Sequence, residues 1–134
     1  MPRYPEGVRR LTEAGQEFVT ERRLATLSTL AAWGGIHSVP VGFTLQDGVL
    51  RIISSGGSQK VQNIRRNGTA TVSQFDGARW ITVQGVGTVH DDREEVALAV
   101  ALYATRYRQP RVNPLRVAIR IDPVRIMASS GLIS

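Results

Sequence analysis

The stretch from Ile52 to Gly68 carries the residues that are best suited to bind a ligand. Its first residues are apolar and β-branched, as in a strand, and Gly56-Gly57 then interrupts the strand. Ser58 is a good N-cap for a short helix in which Val61 and Ile64 share one face. The stretch therefore predicts a helix N-terminus at the end of a strand. Free N–H groups and the helix dipole favour an anion there, most naturally a phosphate.

Lys60 lies in the first turn of this predicted helix and is the only lysine among 17 cationic side chains. A compact ammonium at this position would meet a phosphate bound at the helix N-terminus. A solvent-exposed turn remains the alternative interpretation. The stretch has neither the Walker A spacing nor the G-x-G-x-x-G dinucleotide fingerprint, so its sequence indicates an anion site of another kind.

We assign no side chain as a catalytic acid, base or nucleophile. His37 directly follows a turn that contains Gly34-Gly35, which favours a solvated turn histidine over a general acid. The acidic cluster from Asp91 to Glu95 fits a helix N-terminus, where the helix dipole explains it. No Gly-x-Ser-x-Gly elbow occurs. This pattern is typical of a protein whose chemistry belongs to a bound cofactor.

Length and composition indicate one domain, spanning residues 1–134, with an ordinary core. The chain has no cysteine and two histidines, so we expect no disulfide and no metal site. It has no apolar run near the ~20 residues of a membrane span, and we expect a cytoplasmic protein without a membrane partner. The net charge of +6 admits nucleic acid or a polyanionic small molecule. Eight aromatic residues are too few to suggest a base-stacking platform, which disfavours nucleic acid.

Alternating apolar residues and turn signals predict six antiparallel strands, over residues 24–30, 37–45, 49–54, 69–75, 79–89 and 116–127. Pro40 places the second strand at an edge or a bulge, and Asp47-Gly48 predicts a tight turn. Gly85 and Gly87 predict a bend in the fifth strand. Mainly β structure with these turns favours a small closed or nearly closed barrel.

About three helices complete the prediction. The first begins after the N-cap Thr12 and runs to about Arg23, following a loose segment over residues 2–10. The second is the short helix after Ser58. The third begins with Asp91 and Glu94 as a capping-box-like pair and places apolar residues and two tyrosines on one face.

Four stretches carry a resemblance that extends over nearly the whole chain, namely residues 41–44, 56–60, 73–80 and 106–114. They resemble the split-barrel flavin and deazaflavin oxidoreductases, relatives of pyridoxamine phosphate oxidase. Within that family they are most similar to actinobacterial F420H2-dependent biliverdin reductases. The resemblance implies a mainly β fold, a six-stranded antiparallel split β-barrel of the FMN-binding type, which assembles as a homodimer with cofactor sites between the subunits.

The resemblance also implies roles for individual residues. Ser58, Gln59 and Lys60 would hold the cofactor phosphate, while Ile53, Ser54 and Ser55 would line its ring. The implied cofactor set also includes Gly57 and Asn63. Trp80 would approach from the second subunit. Arg79 and Arg111 are candidates to meet a polyglutamate tail of the cofactor or the propionates of a tetrapyrrole substrate.

The implied cofactor is F420, with FMN as the alternative. Reduced F420 would transfer a hydride to an electrophilic carbon of the substrate, which for biliverdin is the central methine, and solvent would be a possible proton source. Three hypotheses stay open at this point. They are an F420H2-dependent reductase of biliverdin, an FMN-dependent oxidase or reductase, and, more remotely, a nucleic-acid-binding barrel.

Overall fold

The computed structural model describes residues 7–134, which form three helices and seven strands. The helices are α1 (Glu13–Phe18), α2 (Gln59–Arg66) and α3 (Arg93–Arg106). The strands are β1 (Ala25–Leu30), β2 (Ile36–Val41), β3 (Thr44–Gln46), β4 (Val49–Ser55), β5 (Thr69–Asp76), β6 (Arg79–His90) and β7 (Arg116–Ala128). Most of the loose segment predicted over residues 2–10 lies outside the described residues.

All seven strands form one antiparallel sheet in the order β2-β1-β5-β6-β7-β4-β3. The single strand predicted over residues 37–45 is wrong, because it divides at Gly42-Phe43 into β2 and β3. These two strands are the opposite edges of the sheet. Since two residues span only about 7 Å, the sheet has to curl until its edges approach each other. No pairing joins β2 to β3 within residues 7–134, so the sheet has seven strands and is not closed by hydrogen bonds.

The turn and edge signals of the sequence are confirmed. Pro40 lies in the edge strand β2, where a missing N–H costs little. Asp47 and Gly48 have φ angles of 53° and 75° and form the two-residue turn between β3 and β4. The strand β6 is irregular between Gln84 and Gly85, and a side chain at Gly85 would overlap the carbonyl oxygen of Asp122 in β7.

The core lies inside the curled sheet, and α1 and α2 pack against it. Inward-facing strand residues such as Leu27, Ile52 and Ile119 are fully buried. Phe18 from α1 and Val61 from α2 complete this core, as their apolar spacing predicts. Within residues 7–134, no helix has the length and apolar character that a membrane crossing requires.

The helix starts differ from the prediction in detail. Thr12 caps α1 as predicted, with its Oγ1 accepting from the Gly15 N–H at 3.1 Å. The predicted end at Arg23 is wrong, since α1 ends at Phe18 and the carbonyl of Glu21 instead accepts from a side chain of α3. The cap of α3 lies one residue later than predicted, because Asp92 accepts from the Glu95 N–H at 3.0 Å.

We expect Gly15→Ala to destabilise the folded chain, although the same change would stabilise an isolated helix. Glycine in a helix interior costs about 1 kcal/mol relative to alanine, so Gly15→Ala would stabilise an isolated helix. In the folded chain, however, a Cβ at Gly15 would lie 2.0 Å from the carbonyl oxygen of Leu132, so the backbone of the C-terminal segment would have to shift. We expect Gly15→Ala to lower the free energy of unfolding measured in urea. Gly57→Ala, where a Cβ meets no atom within 4 Å, is the matched control, and an increase in stability for Gly15→Ala would contradict this packing.

Candidate functional site

The stretch that the sequence singled out folds as predicted, as the end of β4, a Gly56-Gly57 loop and α2. The N–H of Gly56 donates to the Leu115 carbonyl at 2.8 Å, which fixes the loop against the segment before β7. The first intrahelical bond of α2 joins the Gln62 N–H to the Ser58 carbonyl at 3.1 Å. The preceding N–H groups in the first turn of α2 therefore have no helical acceptor and are available to an anion.

Ser58 occupies the N-cap position of α2, but its side chain does not cap the helix. Its hydroxyl instead forms a hydrogen bond with the Ser54 hydroxyl, with the two oxygens 2.8 Å apart. Because the Ser58 side chain does not cap the helix, the N–H groups of the first turn keep no side-chain acceptor from this position. Since one of the two hydroxyls donates to the other, the pair leaves one O–H that can donate to an anion beside these N–H groups.

A cavity of about 370 Å³ lies in front of this helix start. It is lined by five of the residues predicted from the sequence, Ile53, Ser54, Ser55, Ser58 and Lys60, and by four others, Tyr103, Pro110, Asn113 and Arg116. We call this cavity the cradle. Asn113 donates from Nδ2 to the Ser55 hydroxyl at 2.8 Å, so the loop before β7 orients one wall of the cradle. No Asp, Glu, His or Cys lines the cradle among the described residues.

Lys60 is half-buried at the edge of the cradle. Burial lowers the pKa of its ammonium, because leaving water disfavours the charged form. No carboxylate within residues 7–134 forms an ion pair with it. A cation beside open helix N–H groups and without an acidic partner is suited to an anionic ligand, which would restore the lost stabilisation of the charge.

Gln59 and Asn63 do not line the cradle but form a chain of hydrogen bonds that runs from the exposed Gln59 into the core. Gln59 donates from Nε2 to the Oδ1 of Asn63 at 2.7 Å, and Asn63 donates from Nδ2 to the Oγ1 of Thr29 at 3.1 Å. Asn63 has no exposed surface and Thr29 is 2% exposed. In this arrangement Asn63 fixes the side chain of Gln59 and does not reach a ligand itself. Thr29 has no motif around it, and sequence reasoning missed it.

Removing the hydroxyl of Thr29 tests this chain of hydrogen bonds. Thr29→Val should leave the buried Nδ2 of Asn63 without its acceptor and cost about 1–3 kcal/mol of stability. Thr29→Ser keeps the hydroxyl and should restore most of that loss. Urea unfolding of both variants distinguishes the hydrogen bond from simple packing, since Thr29→Val keeps the volume of the side chain and Thr29→Ser keeps only its hydroxyl. A Val variant that loses no more stability than the Ser variant would contradict the role of the hydrogen bond.

The remaining predicted site residues lie outside the cradle of their own chain. Trp80 lies at the start of β6 and is 38% exposed. Arg79 is exposed and pairs with Asp76 at 2.8 Å and Glu21 at 3.4 Å, and the hydrogen bond to Asp76 is the main reason that its pKa is raised. Arg111 lines an adjoining cavity of about 320 Å³, next to the cradle. In the structure Arg79 is thus engaged in ion pairs with Asp76 and Glu21, and Arg111 lies next to the cradle.

The two histidines also lie away from the cradle. His37 pairs with Thr29 across the β1–β2 ladder and is half-buried, so it is less solvated than predicted. Its Nδ1 has no hydrogen-bond partner among the described residues. His90 lies 2.8 Å from the Thr88 hydroxyl at the end of β6. Neither imidazole lines a cavity that contains Lys60.

Comparison with known proteins gives the class to which this chain belongs. The model of the pyridoxamine 5'-phosphate oxidase family matches residues 11–129, and the chain belongs to this family. Among curated proteins it is 44% identical over 126 residues to the F420H(2)-dependent biliverdin reductase of Mycobacterium tuberculosis (strain CDC 1551 / Oshkosh), which covers 92% of each chain. The family resemblance read from the sequence is therefore confirmed.

Two solved structures share the fold of this chain. The crystal structure of conserved hypothetical protein Rv2991 from Mycobacterium tuberculosis has a TM-score of 0.77 at 23% identity, covering 96% of this chain and 88% of the other. A structure described as F420 reductase has a TM-score of 0.71 at 23% identity, covering 92% and 98%. At these identities the likeness shows the fold alone.

Proposed function

We propose that the chain is an F420H2-dependent oxidoreductase that reduces biliverdin to bilirubin. The observation that carries the proposal is the cradle, where an uncapped helix start, two serine hydroxyls and an unpaired lysine meet. The relative that is 44% identical over 92% of the chain is described as a reductase with this cofactor and substrate. The fold we propose is the split barrel of this family, in which the Gly42-Phe43 link between β2 and β3 brings the two sheet edges together.

The residues of the cradle fit the cofactor. Its open N–H groups and Lys60 would hold the phosphate, and Ile53, Ser54 and Ser55 would lie along the ring. When bound, reduced F420 supplies the hydride. The chain's own contribution is to bind and orient the reactants, because no Asp, Glu, His or Cys lines the cradle among the described residues. A proton would then come from solvent.

Assembly as a homodimer completes this proposal. The outward face of β5 and β6 carries an exposed aromatic pair, Phe75 opposite Trp80, beside a row of small hydroxyl side chains. Ser73 and Thr82 in this row are hydrogen-bonded to each other at 2.9 Å. Exposed aromatic groups next to a face of short side chains favour a protein partner. In a second copy, this face would bring Trp80 to the cradle that it does not reach in its own chain.

Light scattering should therefore give twice the chain mass of 14.7 kDa at micromolar concentration. The double variant Phe75→Ser/Trp80→Ser should dissociate and lose most of its activity, since each cradle would lose a wall. Val124→Ser removes an exposed apolar group of similar accessibility on β7 and serves as the control. A mass near 14.7 kDa with full activity in the unmodified chain would rule out the dimer.

A binding titration tests the cofactor directly. We expect the chain to bind F420 with a dissociation constant at least tenfold lower than that for FMN, because F420 adds a carboxylate-bearing tail to the phosphate and the chain is strongly basic. Tighter binding of FMN would favour the flavin-dependent alternative, an oxidase or flavin reductase. Retention on DNA at physiological salt would favour the remote nucleic-acid alternative.

A further inference from the structure

Asn113 lies in the loop before β7, on one side of the cradle, and its side-chain amide makes two hydrogen bonds. The amide oxygen Oδ1 accepts from the Leu115 N–H at 3.0 Å, and the amide nitrogen Nδ2 donates to the Ser55 hydroxyl at 2.8 Å. A backbone N–H only donates, so its partner on Asn113 has to be the oxygen. The Leu115 N–H therefore fixes which end of the amide faces Ser55, and that end is the donor.

The loop does not need an amide at this position for its own fold. The bond from the Leu115 N–H to the Oδ1 of Asn113 is an Asx turn, which aspartate forms as well as asparagine. Backbone bonds also hold the loop, from the Arg116 N–H to the Asn113 carbonyl at 3.1 Å and from the Gly56 N–H to the Leu115 carbonyl at 2.8 Å. What asparagine adds to the turn is the Nδ2 donor, and within residues 7–134 this donor bonds to Ser55 alone.

The bond from Asn113 determines what the Ser55 hydroxyl can offer to a ligand. Ser55 is the last residue of β4 and pairs with Arg116 of β7, so the ladder holds its backbone. Its oxygen accepts from the Nδ2 of Asn113, and an amide nitrogen cannot accept a hydrogen bond in return. The Ser55 O–H therefore points away from Asn113, and it makes no hydrogen bond to any group of residues 7–134. Since Ser55 lines the cradle, this O–H is available to a ligand there.

We infer that Asn113 is a positioning residue, which holds the Ser55 hydroxyl as a donor toward an acceptor oxygen of the ligand in the cradle. This inference rests on the proposed function for the identity of that ligand, F420. The acceptor is either a phosphate oxygen or a carbonyl oxygen of the deazaflavin ring, and both accept the same hydrogen bond. Lys60 and the first N–H groups of α2 are donors as well, so the Ser55 O–H extends a set of donors along the cradle.

The first experiment tests the hydrogen bond in the full chain without a ligand. The side-chain amide protons of Asn113 are observed by NMR in the isotope-labelled chain and assigned from their absence in Asn113→Asp. Ser55→Ala removes the acceptor, so we expect it to shift the amide proton that faces Ser55 to lower frequency. Ser54→Ala, at the neighbouring serine of the cradle, is the matched control and should shift this proton much less. Equal shifts in the two serine variants would overturn the inference.

The second experiment is a double-mutant cycle on the affinity for F420, measured by calorimetry. Asn113→Asp keeps the oxygen that accepts from the Leu115 N–H but replaces the donor with an acceptor. The Ser55 hydroxyl would then donate to the new carboxylate and present only lone pairs to the ligand. We expect Asn113→Asp to weaken F420 binding about tenfold or more, and this factor to fall at least about fivefold when Ser55→Ala is also present.

The added negative charge is controlled within the same cycle. Gln109→Glu places an equal charge on the same loop, and its effect on F420 affinity should not depend on Ser55→Ala. A role of Asn113 in the fold of the loop alone would likewise give an effect that does not depend on Ser55. If Asn113→Asp weakens binding by the same factor with and without Ser55→Ala, the inference is overturned.

Two further ligands identify the acceptor and separate this inference from the proposed function. If the coupling between Asn113 and Ser55 persists with the deazariboflavin that lacks the phosphate, the acceptor is the ring carbonyl, and if it disappears, the acceptor is the phosphate. A Ser55-dependent loss with FMN, in a chain that does not bind F420, would retain the role of Asn113 and remove the proposed function. A chain that binds neither F420 nor FMN would overturn both.

Discussion

Replacing Arg106 with alanine should lower the free energy of unfolding by about 3–5 kcal/mol, the largest effect expected of any single substitution outside the apolar core. The Arg106 side chain is only 7% exposed. Its guanidinium donates to the carbonyls of Glu21 at 2.8 Å and Phe43 at 2.6 Å, and to the Oε1 of Gln74 at 2.5 Å. It thereby ties the end of α3 to the segment after α1, to the link between β2 and β3, and to β5.

The expected loss is smaller than three full hydrogen bonds because the buried charge is itself costly. Desolvation lowers the pKa of Arg106, and no carboxylate forms an ion pair with it among the described residues. The guanidinium also lies over the Phe43 ring, 4.5 Å from its centroid, which offsets part of this cost. The magnitude above is the net of these opposing contributions.

Urea unfolding measures the effect, with Arg93→Ala at the exposed start of α3 as a control that should change stability by less than 0.5 kcal/mol or so. Arg106→Lys should lose nearly as much as the alanine variant. A single ammonium cannot reach three acceptors in different directions. A loss below about 1 kcal/mol for Arg106→Ala would show that these hydrogen bonds are replaced by water or by other partners.

Replacing Lys60 with alanine should weaken F420 binding by about 1.5–3 kcal/mol, which is roughly a ten- to hundredfold increase in the dissociation constant. The ammonium would form a charge-assisted hydrogen bond with the phosphate beside the open start of α2. Arg65→Ala removes an exposed cation near the other end of α2 and is the matched control. An unchanged dissociation constant in Lys60→Ala would remove this residue from the site.

The same lysine predicts how binding depends on pH. Burial lowers the pKa of Lys60 below its ordinary value of 10.5, so the folded, unliganded chain disfavours the charged form. Around that lowered pKa the unfolded chain binds more protons at Lys60 than the folded chain does. The contribution of Lys60 to the free energy of unfolding therefore increases as pH rises through this range. An anionic ligand needs the charged form, so F420 affinity should fall over the same pH range, beginning below 10.5. Lys60→Arg stays charged and should bind F420 without this decline.

Local signals predicted the cradle because its parts are neighbours in the chain. A β-branched run, a glycine pair and an apolar pair three residues apart were enough to place β4, the loop and α2. The other cradle residues come from distant segments. Tyr103 appeared only as part of an apolar helix face, and Asn113 only within a stretch of family resemblance. Their convergence depends on how the sheet curls, and the spacing of residues in the sequence does not predict that curvature.

The division of the second predicted strand was missed for a physical reason. Val39, Val41, Phe43 and Leu45 alternate without interruption, and all four face the core. The alternation of apolar residues indicates which side chains point inward, and the inward-facing pattern continues without a break across Gly42-Phe43. The change of hydrogen-bonding partner from β1 to β4 occurs in the backbone and leaves no mark on the pattern.

The structural role of Arg106 could not be predicted from the sequence for a related reason. An arginine in the last turn of a helix is normally an exposed cation that interacts favourably with the helix dipole. The sequence around Arg106 does not indicate which groups accept its hydrogen bonds. Those acceptors are two backbone carbonyls and one glutamine amide from three separate segments. Asn63 and Thr29 are similar, because their hydrogen bond joins two side chains that lie far apart in the sequence.

Anaerobic turnover tests the central claim most directly. The chain is mixed with biliverdin and either reduced F420 or reduced FMN, and the long-wavelength absorption band of biliverdin is followed. We expect the band to disappear and bilirubin to form with reduced F420, with little change when reduced FMN replaces it. Turnover with reduced FMN but not with reduced F420 would contradict the assignment of the cofactor. Oxidation of reduced F420 by another acceptor while biliverdin stays unchanged would contradict the substrate alone.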